Sequence, residues 1–403
     1  MKNNSLLHTP EGVRDIYGDE LERKLTLEEH LRKRIRSFGY QDIETPSFEY
    51  FDIYSKEIGT TPSKEIYKFF DSENNTLALR PDFTPGVVRS AVKYFMEDEL
   101  PKKLVYLGNT FSNRSDLQGK LKEVTELGVE HLGDSSVDAD AEMIYMSSVI
   151  LKSAGLRDFQ ICIGTEEYFR GLCEAAGLEK DEQHSLSEHI RNKNYFGTMD
   201  FIDSLDIDDN VKNALSSFSD FAGDVEILDS AAELANGINR SEEAVNRLKK
   251  IYELLKIYGI ENYVSFDLGM LTKRDYYTGI VFGAYTFGTG DAVIRGGRYD
   301  NLLAKFGGNG AAIGFTVVID ELMNTLSAQH IEIVPDIRRA IVAYSADSLA
   351  EALKLCGELR EKNIDTEMLS IDFGEEKLKK RAREMNNSNL YFVKEGESKE
   401  VQL

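Results

Sequence analysis

The sequence predicts an α+β fold: an antiparallel sheet flanked by helices, a helical insertion and a small C-terminal α/β domain. Three observations carry this. Residues 265–315 alternate short apolar stretches with glycine clusters, as strands joined by tight turns do. Residues from 165 to about 260 read as helices separated by Asn, Asp and Gly breaks. From Ala340 the chain reads AIVAYS, SLAEALKLCGELREKN, TEMLSI, EEKLKKRAREMN and LYFVKE, a strand–helix–strand–helix order closed by an edge strand.

Taken in order, residues 8–18 are a loop rich in turn formers. From Asp19 to about Phe38 the spacing predicts a helix with Leu21, Leu25, Leu31 and Ile35 on one stripe. Gly39 ends it, because glycine accepts the left-handed conformation past a helix end. Residues 40–46 are a strand signal. Residues 67–70 and 76–79 read as a hairpin around a polar turn. In ALRPDFTPGVVRSAV, Thr84 caps the following helix and Pro85 takes its first position. Asp82 and Thr84 then stand where strand gives way to helix. Ligand groups often sit there, and an Asp there is equally a good N-terminal charge.

Residues 104–107 and 124–132 read as antiparallel strands joined by a long polar loop. With a period of two, Glu126, Gly128 and Glu130 share one face of the second strand. Two carboxylates flanking a residue without a side chain are costly unless a cation or hydrogen-bond donors meet them. The face is either solvated or a pocket for an amine or imidazolium. A helix over 138–154 and a strand over 159–164 precede the insertion.

Residues 276–287 are apolar on both alternating faces and predict a central strand covered on both sides. Gly288-Thr289-Gly290 is a turn. Residues 291–295 return antiparallel, Gly296 and Gly297 break the strand, and Arg298-Tyr299-Asp300 opens a short helix. The cluster 307–310 leads to a third strand ending at Gly314. Glycine inside a sheet weakens it, so this density marks either bulges and bends or a surface that a ligand approaches closely. Residues 327–335 link a core of residues 1–326 to the domain of 336–403.

Composition narrows the function. The 403 residues allow two or three domains, and the net charge of −22, from 70 acidic against 48 basic residues, repels polyanions. The three cysteines, Cys162, Cys173 and Cys356, lie far apart without a CxxC, which suits a reduced cytoplasmic protein. The six histidines form no HExxH or HxH pair, and His184 and His189 read as surface residues, so neither metal nor cofactor is expected. No apolar run approaches the ~20 residues of a membrane span, and the N-terminus has no apolar signal core.

DYYTGIVF, GGRYDNL and the glycine-rich strand leading into a helix resemble the histidyl-tRNA synthetases, a class II synthetase family. RPDFTP resembles their non-synthetase relatives, the regulatory subunits of ATP phosphoribosyltransferase, because synthetases usually carry a glutamate followed by a glycine there. The likeness runs over nearly the whole chain. It implies a class II core and a C-terminal domain similar to an anticodon-binding domain. The helix before GYQDIETP resembles the first class II motif, which builds a homodimer interface in that family; an ordinary amphipathic helix on its own sheet fits the spacing as well.

The resemblance places a histidine-like ligand against Asp82, Thr84, Glu126, Glu130, Tyr276 and Tyr277. It also implies that ATP chemistry is lost. Ser112, Thr272 and Glu321 stand where class II synthetases carry arginines, Arg114 stands for a glutamate and Glu126 for a glutamine. Lys273 and Arg274 lie beside the second of these places, on differently facing positions. The insertion, which in synthetases reaches toward tRNA, is acidic here and reads as packing or partner surface. Lys377, Lys379, Lys380, Arg381 and Arg383 form either a solvated helix face or a tRNA patch. The implied function is a non-catalytic regulatory subunit for the first step of histidine biosynthesis. Its partner would be a short-form catalytic ATP phosphoribosyltransferase chain, in a hetero-oligomer built on a homodimer, with histidine as ligand and without nucleic acid. A histidyl-tRNA ligase is the alternative. A tRNA-binding or stress-sensing relative is disfavoured by the charge.

Overall fold

A computed structural model describes residues 7–54, 61–95, 101–114, 121–218, 221–272, 276–385, 388–395 and 397–401. The chain divides into two compact units, Met1–Ile333 and Val334–Leu403. The first begins with α1 (Gly18–Arg36), β1 (Gln41–Asp42), β2 (Phe48–Tyr50), β3 (Lys68–Phe70), β4 (Thr76–Leu79) and α2 (Thr84–Tyr94). It continues with β5 (Lys102–Phe111), β6 (Glu123–Leu132), α3 (Val137–Ser153) and β7 (Gln160–Thr165). The insertion contributes α4 (Glu166–Ala175), α5 (Lys180–Arg191), α6 (Tyr195–Asp203), α7 (Asp209–Ser216), the short β8 (Ala222–Gly223), α8 (Ile227–Leu234) and α9 (Asn239–Ile257). Then come β9 (Val264–Asp267), β10 (Ile280–Tyr285), β11 (Ile294–Arg298), α10 (Leu302–Lys305), β12 (Ala312–Val318) and α11 (Ile319–Ala328).

The main sheet has nine strands in the order β1-β5-β6-β12-β11-β10-β7-β9-β8. From β5 to β7 every neighbour is antiparallel; β1 on β5 and β9 on β7 run parallel. β10 is central and buried through Ala284, because it is hydrogen-bonded on both edges and covered on both faces. A separate three-stranded sheet, β2-β4-β3, contains the hairpin.

Several boundaries differ from expectation for physical reasons. The central strand starts at Ile280, because Tyr276 and Tyr277 turn into the site instead of joining the ladder. Its partner starts at Ile294, not Asp291, and Gly296 and Gly297 lie inside it. They do not break the strand. A side chain on Gly296 would strike the Phe282 ring, and one on Gly297 would come within 2.6 Å of the Tyr277 ring. Glycine there lets aromatic rings cross the strand. The short helix opens at Leu302, and the third strand runs past Gly314 to Val318. The β5 strand reaches Phe111, well into the expected polar loop. In α1, Leu27, Leu31 and Ile35 are buried but Leu25 is 53% exposed. Thr84 is the first residue of α2 rather than its cap. Asp82 accepts from the Thr84 N–H at 3.0 Å instead.

One buried ion cluster ties α3 to the sheet. Asp140, fully buried, accepts from Arg298 Nε at 2.8 Å and from Arg247 Nε of α9 at 2.6 Å. Burial pushes the Asp140 carboxyl up against the pull of both guanidiniums, while the carboxylates beside Arg298 hold that side chain charged.

The inner face of β6 holds a second buried polar group. His131 is 3% exposed, its Nε2 lies 3.8 Å from Asp134 and its Nδ1 has no hydrogen-bond partner. Burial lowers its pKa, with the Lys103 charge adding to the shift. The folded chain therefore holds the imidazole neutral to a lower pH than the unfolded chain, which takes up a proton as pH falls through about 6.5. The unfolded state then binds more protons, so stability is full above that pH and declines below it. His131→Leu should flatten the fall of melting temperature between about pH 7 and pH 5. An unchanged pH profile in the variant would rule the imidazole out as the cause.

The second unit contains β13 (Arg339–Tyr344), α12 (Leu349–Glu361), β14 (Asp365–Ser370), α13 (Glu375–Glu384), β15 (Ser388–Lys394) and β16 (Glu397–Val401). Its sheet order is β14-β13-β15-β16, parallel except for the last pair. Alternation along β13 sends Ala340 and Val342 against Ala352 and Cys356 of α12, and Ile341 and Ala343 against Leu378 and Ala382 of α13. That is a doubly wound arrangement. LYFVKE is not the edge: β16 pairs outside it. In the basic helix, Lys379 meets Glu375 at 2.7 Å, Lys380 meets Glu384 at 3.7 Å and Arg381 meets Glu367 at 3.2 Å, as on a solvated, charge-balanced face.

Candidate functional site

The site is built where the ends of β6, β11 and β12 meet the N-terminus of α2. Period-two alternation brings Glu130 to the sheet surface opposite Gly314 of β12. A side chain on Gly314 would run into the Glu130 carboxylate. Glu130 is 1% exposed. Its Oε1 accepts from the Thr84 hydroxyl at 2.8 Å, and its Oε2 accepts from the Tyr299 hydroxyl. Burial and the Glu130 charge push the Tyr299 phenol well above its ordinary pKa, so it remains a donor.

Asp82 stands behind this pair. It accepts from the Thr84 N–H and, at 3.3 Å, from the Tyr276 hydroxyl. The Tyr276 ring packs edge-on against Tyr299 and lies 4.8 Å from Tyr277. Thr84, Glu126, Glu130, Tyr277, Arg295 and Tyr299 line a cleft of about 30 Å³ together with residues 314–316 and 318. All six residues singled out from sequence converge. Thr84, Glu126, Glu130 and Tyr277 line the cleft, whereas Asp82 and Tyr276 support it from behind.

The glycine gap between Glu126 and Glu130 is covered. Tyr106, paired with Gly128 across β5 and β6, lays its ring over Gly128 and its hydroxyl 2.9 Å from Thr316 Oγ1. It stacks on Phe83, whose other neighbour is the Arg80 guanidinium at 3.9 Å. Tyr106, Tyr299 and Arg295 are the site residues that sequence reasoning missed. The cross-strand partner of Gly128 and the Tyr in GGRYD were the available signals. The narrow cleft admits an amino acid only if lining side chains move.

The three positions that the family resemblance sets against synthetase arginines hold uncharged or acidic side chains. Ser112 follows the end of β5, where its N–H donates to the Lys122 carbonyl at 2.8 Å. Thr272 donates its N–H and hydroxyl to buried Glu166 of α4, at 2.8 and 3.0 Å. Glu321 accepts from the Thr289 hydroxyl at 3.2 Å. Lys273 and Arg274, which could have stood in for an arginine, lie outside the described residues. Among the described residues no group of three His, Cys, Asp or Glu is placed to hold a metal ion, and no helix is long and apolar enough to cross a membrane. Carboxylates of this kind suit an amine or an imidazole N–H, and among the described residues Arg295 is the cation that lines the cleft.

A family model described as histidyl-tRNA synthetase matches residues 12–322. An ATP phosphoribosyltransferase regulatory subunit from Acetivibrio thermocellus is 36% identical, over 90% of this chain and 86% of that protein. Another from Ruminiclostridium cellulolyticum is 34% identical over 97% and 93%. The chain belongs to the ATP phosphoribosyltransferase regulatory subunits, a histidyl-tRNA synthetase-like family. Within this family a Bacillus halodurans structure, described as an ATP phosphoribosyltransferase regulatory subunit/histidyl-tRNA synthetase, superposes with a TM-score of 0.85 at 28% identity, covering 96% of this chain and 99% of that one. The histidyl-tRNA synthetase of Nostoc sp. PCC 7120 gives 0.79 at 19% identity over 98% and 96%, a likeness of fold alone. The regulatory subunits thus share the class II synthetase-like fold that the sequence predicted.

Proposed function

We propose that this chain is the non-catalytic regulatory subunit of a short-form ATP phosphoribosyltransferase in the first step of histidine biosynthesis. It would be required for activity, carry histidine feedback and work in the cytoplasm. The observation that carries this reading is a combination. The carboxylate–tyrosine cluster around Glu130 is assembled, while Ser112, Thr272 and Glu321 stand where the family resemblance implies the arginines that grip ATP in a synthetase. A site kept without its chemistry suits sensing or assembly. Feedback is then a coupling free energy, typically ~1–3 kcal/mol, arising because histidine binds two states of the assembly unequally. The narrowness of the cleft fits such a two-state reading.

The deciding experiment mixes this chain with a short-form catalytic chain. The catalytic chain alone should be poorly active, this chain inactive, and the mixture active and inhibited by histidine. Light scattering of this chain alone should give twice the chain mass, as α1 and β1 pair in class II cores. No gain in turnover on mixing, together with no complex on gel filtration, would sink the proposal.

Histidine itself should bind at Glu130, and Arg295 at the cleft supplies a cation for a ligand carboxylate. Hydrogen bonds to charged groups contribute about 1.5–3 kcal/mol, so Glu130→Ala should weaken histidine roughly tenfold or more. Calorimetry on the mixture checks it; equal affinity in Glu130→Ala and wild type would remove histidine from this site.

A further inference from the structure

The outer face of the helical insertion carries an apolar stripe. On α6, Tyr195, Phe196 and Met199 are 56%, 87% and 41% exposed. Their spacing of three and four residues puts them on one side of the helix. The adjoining side is already satisfied, because Thr198 and Ile202 are buried and Phe201 packs against the main core. Single exposed apolar residues are ordinary, but two aromatics and a methionine side by side are the composition of an interface centre.

The surrounding charge selects the occupant. Residues 195–209 contain five aspartates, Asp200, Asp203, Asp206, Asp208 and Asp209, and no lysine or arginine. On either side, Lys193 is exposed two residues before Tyr195 and Lys212 lies 3.4 Å from Asp203, so five aspartates against these two cations leave the rim acidic. A second copy of this chain would bring the same aspartates to the contact, and anionic lipid or nucleic acid would be repelled as well. A protein face with a small apolar centre and a basic rim satisfies both features. The insertion that carries the stripe is tied to Thr272 and to the cleft residue Tyr277. Arg191, at the end of α5 just before α6, donates to the Thr272 carbonyl at 2.8 Å, and Arg170 of α4 donates to the Tyr277 carbonyl at 2.8 Å.

We infer that the α6 stripe docks a basic face of the catalytic phosphoribosyltransferase chain; the partner's identity rests on the function proposed above. Aromatic anchors set how long such a complex lasts, and the aspartates set how fast it forms.

The test titrates the short-form catalytic chain against the full-length wild type and two variants. Tyr195→Ser with Phe196→Ser should raise Kd roughly tenfold or more, with an unchanged melting temperature because both side chains are exposed. Asp200→Lys with Asp206→Lys should slow association and reverse its salt dependence. If the wild type binds and activates but both variants bind within about twofold of it, the docking inference is overturned and the regulatory reading stands. If the aromatic variant instead lowers this chain's own oligomeric mass, the stripe is a self-contact and the inference is equally overturned. If the wild type takes up no catalytic chain, both fall.

Discussion

Pyrophosphate exchange dependent on histidine and ATP should fall roughly 10²–10³-fold or more below the rate of a synthetase, since losing even one preorganised charge contact commonly costs that much. Here the family resemblance implies that three such contacts are absent together. Ser112 and Thr272 bring hydroxyls where cations would stand, and both backbones are committed to neighbours, Ser112 to Lys122 and Thr272 to Glu166. Glu321 is worse than neutral, because a carboxylate facing a triphosphate repels it. Two nearby arginines among the described residues do not restore the charge. Arg80 is held by the carbonyls of Thr45 and Asn109 at 2.9 and 2.7 Å, and Arg114 meets Glu65 at 2.5 Å. Arg295 remains at the cleft, but one cation suits a carboxylate better than a polyphosphate. The check is exchange of labelled pyrophosphate by the pure chain; turnover typical of enzymes would return the protein to catalysis.

The face of β6 was legible because its alternation is strict: a one-residue slip would have moved Glu126 and Glu130 into the core. The ends of strands were less legible. Gly296 and Gly297 look like breakers in one dimension, and only the Phe282 and Tyr277 rings crossing them explain why glycine continues the strand. The local pattern marks Tyr299 only as the start of a helix, yet it reaches Glu130 from 169 positions away in the chain. No local pattern encodes such a contact. β16 was missed because ESKEV is polar and exposed along most of its length, so it carries neither alternation nor apolar weight. Leu25 kept the helical period but faces outward, since periodicity fixes a stripe's width no better than about a residue.

Asp140→Ala should cost about 3–5 kcal/mol of stability, the range for removing one partner of a buried ion cluster. The argument turns on what is left behind. Arg298 is 3% exposed, and Asp140 is its closest anionic partner, with contacts at 2.8 and 2.5 Å. Its remaining partners are the Asp134 and Ser136 carbonyls and Asp300 at 3.1 Å. A guanidinium in that position cannot lose its proton, and at 3% exposure it has little water to replace the lost carboxylate. Arg247 is different, because its side chain is 30% exposed and can turn to solvent. Arg247→Ala should therefore be mild, and Asp140→Asn intermediate, since the amide keeps an acceptor but not the charge. Urea melts of the three variants give the order directly. A double change, Asp140→Leu with Arg298→Met, should recover part of the loss, because no charge is then left buried. If Asp140→Ala melts within about 1 kcal/mol of wild type, or the double variant is no better than the single, the cluster does not hold α3 on the sheet.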